Sequence, residues 1–196
     1  IYAGWDNDES SRMLSSSGGL ATFLIKELIR RKLVDAAIVV VYDESSPHGV
    51  KYKIVRDPLE LEASRQSKYV VTSYLDILGD IVNVEGRYVF VGIPCYVKSL
   101  KLLMRQHPVL RERIAYTIAI FCGHQKTFSF PQYIGWNLGV QPNDLKMVNY
   151  RVKKEGFRSY EYFYQAVDKN NLLHEGVVTK IKWLDWGVGL FKLKAC

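Results

Sequence analysis

The segment RYVFVGIPCYVKSLKLLMRQHP, followed after Pro108 by IAYTIAIF, constrains the fold more than any other stretch of this chain. Tyr88 to Val91 is an aromatic and β-branched run that reads as a buried strand, and Gly92 to Cys95 reads as a turn. From Tyr96 onward, apolar Val97, Leu100 and Met104 alternate with Lys98, Lys101 and Arg105 at helical spacing. Residues 114 to 121 read as a second buried strand that runs into Cys122 and Gly123. Strand, helix and strand in this order form a right-handed parallel crossover. Both turns then open at the carboxyl edge of a parallel sheet, which is where open α/β sheets bind ligands.

The remaining elements extend that unit. Upstream, residues 19 to 32 place Leu20, Phe23, Leu24 and Leu28 on one helical stripe, which is expected to pack on the core. AAIVVVY (36 to 42) reads as a strand buried on both faces, and KYKIVRD (51 to 57) as a more exposed one. DPLELEASRQ starts a helix with Asp57 and Pro58 in the cap and first turn, then a short strand at SKYVVTSY and a helix near YLDILGDIV follow. FPQYIGWNLGV (130 to 140) reads as a short helix. LKMVNYRVKKEG, YEYFYQAVDKN and EGVVTKIKWLDWG read as antiparallel strands, with Gly156, Asn170 and Asn171 in the turns. The expected class is α/β: a mixed, largely parallel open sheet with flanking helices, followed by an antiparallel, aromatic-rich meander that gives α+β character. One domain is expected over residues 1–196, with an α/β part at 1–140 and an antiparallel strand extension at 141–196.

With 48% hydrophobic residues the chain can bury one sizeable core. It opens on Ile1 without a charged-then-apolar signal segment, and no apolar run reaches the length of a bilayer span. The expectation is a piece of a larger cytoplasmic protein without a membrane span. The formal charge of +7 is distributed along the chain, and no long basic tract marks a nucleic-acid tail, so no nucleic-acid partner is expected. Such a balance also suits an anionic cofactor.

Three cysteines, at 95, 122 and 196, do not make a secreted disulfide scaffold and read as reduced thiols or metal ligands. Cys95 and Cys122 are 27 positions apart, close to one crossover unit, so their thiols are expected to face one crevice. Cys95 sits ahead of a helix, whose N-terminal partial charge favours a thiolate. An iron–sulfur cluster takes four ligands, and Cys196 offers a third. Zinc-module spacings are absent, and His124 reads as a loop histidine beside Cys122.

The stretch Ser15-Ser16-Ser17-Gly18-Gly19 stands at the entrance of the first long helix. Glycines that let N–H groups approach a ligand, with hydroxyls adding donors, make a phosphate site. The plainer alternative is that Ser17 is an N-cap and the glycines make a tight entry. Neither a dinucleotide fingerprint nor a Walker loop is present.

Five blocks in register, RMLSSSGGLATFLIKELIRRKLVDAAIVV, SKYV, VFVGIPCYVKSLKLL, IAIFCGH and the terminal KAC, resemble the beta-subunit family of deazaflavin-coenzyme hydrogenases and dehydrogenases. The resemblance implies the flavin-binding core of an iron–sulfur flavoprotein, an oxidoreductase passing electrons or hydride between clusters, FAD and a deazaflavin-type or related organic acceptor. It implies FAD and a 4Fe-4S cluster as cofactors, and a redox partner subunit or ferredoxin-like module as partner. By motif, Ser15, Ser17, Gly18 and Gly19 would line the FAD, as would Lys68, Tyr69, Gly92, Pro94, Cys95 and Gly123, while Cys95, Cys122 and Cys196 would be cluster ligands. No protein acid or base is implied, because the chemistry is the cofactor's. Ile93, Tyr96 and Gln66 stand where that family has Thr, Gln and Gly.

Two rival readings remain. A cofactor-free interaction or assembly module would keep the same fold and use the aromatics around Tyr160, Tyr162, Phe163 and Tyr164, which otherwise read as the packed face of a sheet. A cysteine-nucleophile enzyme would use Cys95 with His124 as base.

Overall fold

A computed structural model describes residues 2–46, 48–181 and 189–196. The α/β part holds a four-stranded sheet built from β1 (Ala36–Tyr42), β2 (Val50–Val55), β3 (Tyr88–Gly92) and β4 (Ile114–Ala119), in the order β2-β1-β3-β4. β1 pairs antiparallel with β2 and parallel with β3, and β3 pairs parallel with β4, so the sheet is mixed and largely parallel. The extension is a second sheet of β5 (Leu145–Val152), β6 (Phe163–Asp168) and β7 (Leu173–Val177), antiparallel throughout. The third strand of the meander begins earlier than its sequence pattern predicts and turns at Val178–Lys180; its expected continuation through residues 182–187 lies outside the described residues.

Helices cover both faces of the first sheet. After a short α1 (Glu9–Met13), α2 (Leu20–Arg30) packs Ile25 among Val39, Val41 and Val89 on one face. On the other face α3 (Leu75–Asn83), α4 (Pro94–Gln106) and α5 (Pro108–Arg113) bury Ile77, Ile81, Leu100, Met104 and Leu110 against Tyr52, Phe90 and Ile114. α6 (Ser129–Asn137) lays Phe130 and Ile134 on the second sheet, against Val148, Tyr150 and Tyr164. No described helix is long and apolar enough to cross a membrane.

Several local readings are corrected. The stripe Leu20, Phe23 and Leu24 of α2 faces outward, and Thr22 and Ile25 are buried instead. Ile25 packs there with Val34 and Leu61, and of the expected stripe only Leu28 is partly buried against them. Asp57 and Pro58 do not start an α-helix: the Asp57 carboxylate accepts the Leu59 N–H at 2.8 Å, and a short 3-10 turn follows at Glu60–Ser64. Residues 67–74 form no strand, and backbone groups in them bond to side chains instead: the Ser67 N–H to the Ser16 hydroxyl and the Thr72 carbonyl to the Tyr96 hydroxyl. α4 begins at Pro94, so Cys95 lies in its first turn. β4 is an edge strand and only Ile114 in it is buried.

Candidate functional site

The serine loop is held mostly by its own chain. Ser15 is buried, donates to the Ser11 carbonyl at 3.0 Å and accepts from the Arg65 guanidinium at 2.9 Å. Arg65, itself buried, also donates to the Ser11 carbonyl at 3.0 Å and the Ser11 hydroxyl at 2.9 Å, and pairs with Glu62. Ser16 accepts the Ser67 N–H at 2.9 Å and donates to the Tyr150 carbonyl at 3.4 Å. Ser17 is exposed and is not the cap of α2. That position belongs to Gly19, at φ 82°, where a Cβ would come within 3.2 Å of the Asp6 Cβ and 3.3 Å of the Ser15 hydroxyl. The N-terminal segment closes over Gly18, whose carbonyl accepts the Asp6 N–H at 2.7 Å.

The outer side of this loop opens on a cleft of about 490 Å³ lined by Trp5, Arg12, Ser16, Ser17, Gly18 and Arg151, with Lys153, Ser159 and Tyr162 completing it. Three cations therefore face Ser17 and Gly18. Lys153 donates to the Arg12 carbonyl at 2.9 Å and to the Ser17 carbonyl, and burial, then Arg151 and Arg12, push its ammonium below the usual lysine range. Arg12 leans on Glu9 and the Asp6 carbonyl. Arg151 stacks over the Tyr162 ring at 5.5 Å and has no ion pair among the described residues. Sequence reasoning missed Arg12, Ser16, Arg151 and Lys153. The cations of the meander lie some 140 positions from the loop, and no local pattern marks their meeting.

Lys68 and Tyr69, expected at a cofactor, turn into the protein. The Lys68 ammonium donates to the Ala63 and Gln66 carbonyls, each at 3.4 Å, and to the Arg65 carbonyl, and it sits 5.0 Å above the Tyr42 ring. Burial pulls it down to about 7. Tyr69 packs its ring edge-on against Phe130 and Tyr150.

At the carboxyl edge of the first sheet Gly92 stands two residues after Phe90, and a Cβ there would lie 2.7 Å from the Phe90 ring and 3.2 Å from the Tyr52 hydroxyl. Beneath the edge, Tyr52 stacks on Phe90 at 5.3 Å and Tyr74 meets Phe90 and Tyr96 edge-on at 5.5 and 5.8 Å. The Tyr96 hydroxyl donates to the Thr72 carbonyl at 2.6 Å, a task the sequence pattern did not foretell. Burial, then Tyr96, Tyr74 and Cys95, raise the Tyr52 phenol above its ordinary range. Pro94 and Cys95 are exposed, and Gly123 has open space on its Cβ side.

The chain end returns to the same edge. Thr127 donates to the Phe191 carbonyl at 2.7 Å and Leu193 to the Gln125 carbonyl at 3.0 Å, and Lys126 bridges Lys192. This pairing brings the Cys196 sulfur to accept the Gln125 N–H at 3.4 Å. Cys95 follows β3, Cys122 follows β4 and Cys196 meets Gln125, so the three thiols stand at one sheet edge; burial, then Cys196 and Cys95, push the Cys122 thiol up. All three are free, and among the described residues no group of three or more His, Cys, Asp or Glu is spaced to hold one metal ion. The thiols are thus gathered to one edge but do not stand as a ready set of ligands. His124, beside them, is held below its usual range by burial and by the charges of Lys126 and Lys192.

A chain of the F420-reducing [NiFe] hydrogenase complex from Methanosarcina barkeri has the same fold, with a TM-score of 0.66 at 13% identity, covering 100% of this chain and 65% of that one. This chain therefore spans under two thirds of the length of that relative. No curated protein matches the sequence. Two family descriptions match: coenzyme F420 hydrogenase/dehydrogenase beta subunit N-term over residues 1–79, and the corresponding C terminus over residues 85–196. With fold and sequence agreeing from end to end, the chain belongs to the coenzyme F420 hydrogenase/dehydrogenase beta-subunit family.

Proposed function

We propose that this chain is the flavin-holding core of an oxidoreductase subunit that passes electrons between a redox partner and an organic acceptor of the deazaflavin type. The observation that carries the reading is the basic cleft against Ser17 and Gly18, where Arg12, Arg151 and Lys153 converge. FAD is an anion through its diphosphate, and when bound it supplies hydride exchange with an organic partner and single-electron exchange with a cluster. Arg151, the cation least engaged elsewhere, would meet the diphosphate; Arg12 and Lys153 would add field, and the Ser17 hydroxyl a donor. By the family motif, Gly92 and Pro94 would hold another part of the cofactor. Cys95, Cys122 and Cys196 would offer the thiolate chemistry of an iron–sulfur cluster, although among the described residues they lack the spacing of a formed site.

The test is a fluorescence titration of the protein with FAD and with riboflavin. Arg151→Gln is expected to weaken FAD at least tenfold and to leave riboflavin unchanged. Absence of flavin binding, or equal loss of both ligands, overturns the reading. The second reading, a cofactor-free assembly module of the same fold, is favoured by the inward engagement of Ser15, Ser16 and Lys68, and would be upheld by a protein that binds neither ligand.

A further inference from the structure

Between residues 86 and 143 the sequence contains Arg87, Lys98, Lys101, Arg105, Arg111, Arg113 and Lys126, and a single acidic residue, Glu112. The excess is displayed, not dispersed. Lys98, Lys101 and Arg105 lie three and four positions apart, so they share one face of α4. All three are exposed, as is Arg111 on α5. None of the four is paired with a carboxylate among the described residues, although eleven Lys or Arg ion pairs occur elsewhere in them.

Beside this ridge the sheet ends. α4 lies over β3 and β4, and β4 pairs with β3 alone among the described residues, so its outer row of N–H and C=O groups is open. Ala115, Tyr116 and Ala119 on it are exposed, and the chain leaves it through Ile120 and a fully exposed Phe121. An open strand edge, exposed apolar side chains and a ridge of unpaired cations in one place suit one class of partner. Polyanions such as nucleic acid or a lipid surface would use the cations but not the strand edge; a polypeptide uses both.

We propose that α4 and the edge of β4 form the docking surface for a protein partner with an acidic face. The inference rests on the redox reading only for the partner's role as electron carrier, since the surface ends at Cys95 in the first turn of α4. The cations would steer the encounter, making it fast and sensitive to salt, while the strand edge and Phe121 would hold the complex.

Binding is tested by biolayer interferometry of the protein against an acidic plant-type ferredoxin at low ionic strength, with a single-stranded oligonucleotide and phosphatidylserine vesicles as parallel probes. Two variants of equal net charge are compared: Lys98→Glu/Lys101→Glu/Arg105→Glu on the ridge, and Lys32→Glu/Arg56→Glu/Lys180→Glu at exposed positions elsewhere. The expected result is ferredoxin binding that weakens with salt, falls at least tenfold in the ridge variant and stays within threefold in the other. Absence of ferredoxin binding, equal loss in both variants, or ridge-dependent binding of only the oligonucleotide or vesicles overturns the proposal. The FAD titration above is independent of this ridge, so failure here with flavin binding intact refutes the docking surface alone.

Discussion

The hydroxyl oxygen of Ser16 accepts the backbone N–H of Ser67 at 2.9 Å, and the same hydroxyl reaches the Tyr150 carbonyl. One buried side chain thus joins the serine loop, the irregular segment after Arg65 and the meander. Ser16→Ala leaves the Ser67 N–H without that acceptor. It is expected to lower stability by about 1–3 kcal/mol, read as a shift of the urea midpoint, and an unchanged midpoint would show that water replaces the hydroxyl.

Arg65 is the second fastener of that loop. Its fork serves two atoms of Ser11, the Ser15 hydroxyl and Glu62, a pattern that an ammonium does not reproduce. Arg65→Lys is expected to destabilise the fold by roughly 2–4 kcal/mol and to weaken FAD through the displaced Ser17. A thermal and urea denaturation pair checks the first effect, and the flavin titration the second.

Lys68 makes stability depend on pH. Its folded value is pulled to about 7 from an ordinary 10.5. Between those values the unfolded chain holds a proton that the folded chain lacks, so stability rises with pH across that window. Urea midpoints at pH 7.0, 8.0 and 9.0 are expected to rise for the protein and to rise less for Lys68→Met. The amine should also acylate with a midpoint near pH 7, and a midpoint above 9.5 would refute the buried, proton-poor state.

Gly92 is required by space, with no positive φ involved. A methyl group there would press on the Phe90 ring, which is fixed between Tyr52 and Tyr74. Gly92→Ala is expected to lower stability by about 1–3 kcal/mol and to change the near-ultraviolet circular dichroism of the tyrosine cluster. A variant as stable as its parent would show that the ring moves freely.

The three thiols should differ in reactivity. Cys122 is part-buried and raised by burial and by Cys196 and Cys95, whereas the other two are exposed. Iodoacetamide at pH 7.5 is expected to label Cys122 last, and Cys196→Ser to speed that labelling. Mass spectrometry of the digested protein gives the order directly.

Much of the architecture was legible because it rests on short-range pattern. AAIVVVY and YVFVG are continuous apolar runs, and burial on both faces of a sheet produces such runs wherever the strand lies. Lys98, Lys101 and Arg105 at helical spacing showed the solvent face of α4 before any partner of its inner face was known. The edge character of β4 was not legible, since Ile114–Ala119 is as apolar as an inner strand and only the strand order makes it terminal.

The site was legible in part for the same reason. Crossover geometry places Gly92, Cys95 and Cys122 at one sheet edge from sequence spacing alone. That Cys196 joins them depends on the chain end pairing with residues 125–127. The roles of Ser15, Ser16 and Lys68 also depend on distant atoms, those of Arg65, Tyr150 and the 63–66 carbonyls.

By itself, then, the sequence determined the period of each element, the parallel crossover and the membership of its motifs in one family, because periodicity and chain connectivity act over neighbouring residues. Only the tertiary structure decided which face of α2 is buried, which strand is the edge, and which cations meet the serine loop. Burial and charge depend on what arrives from elsewhere in the chain, and Ser16 and Tyr150 are 134 positions apart.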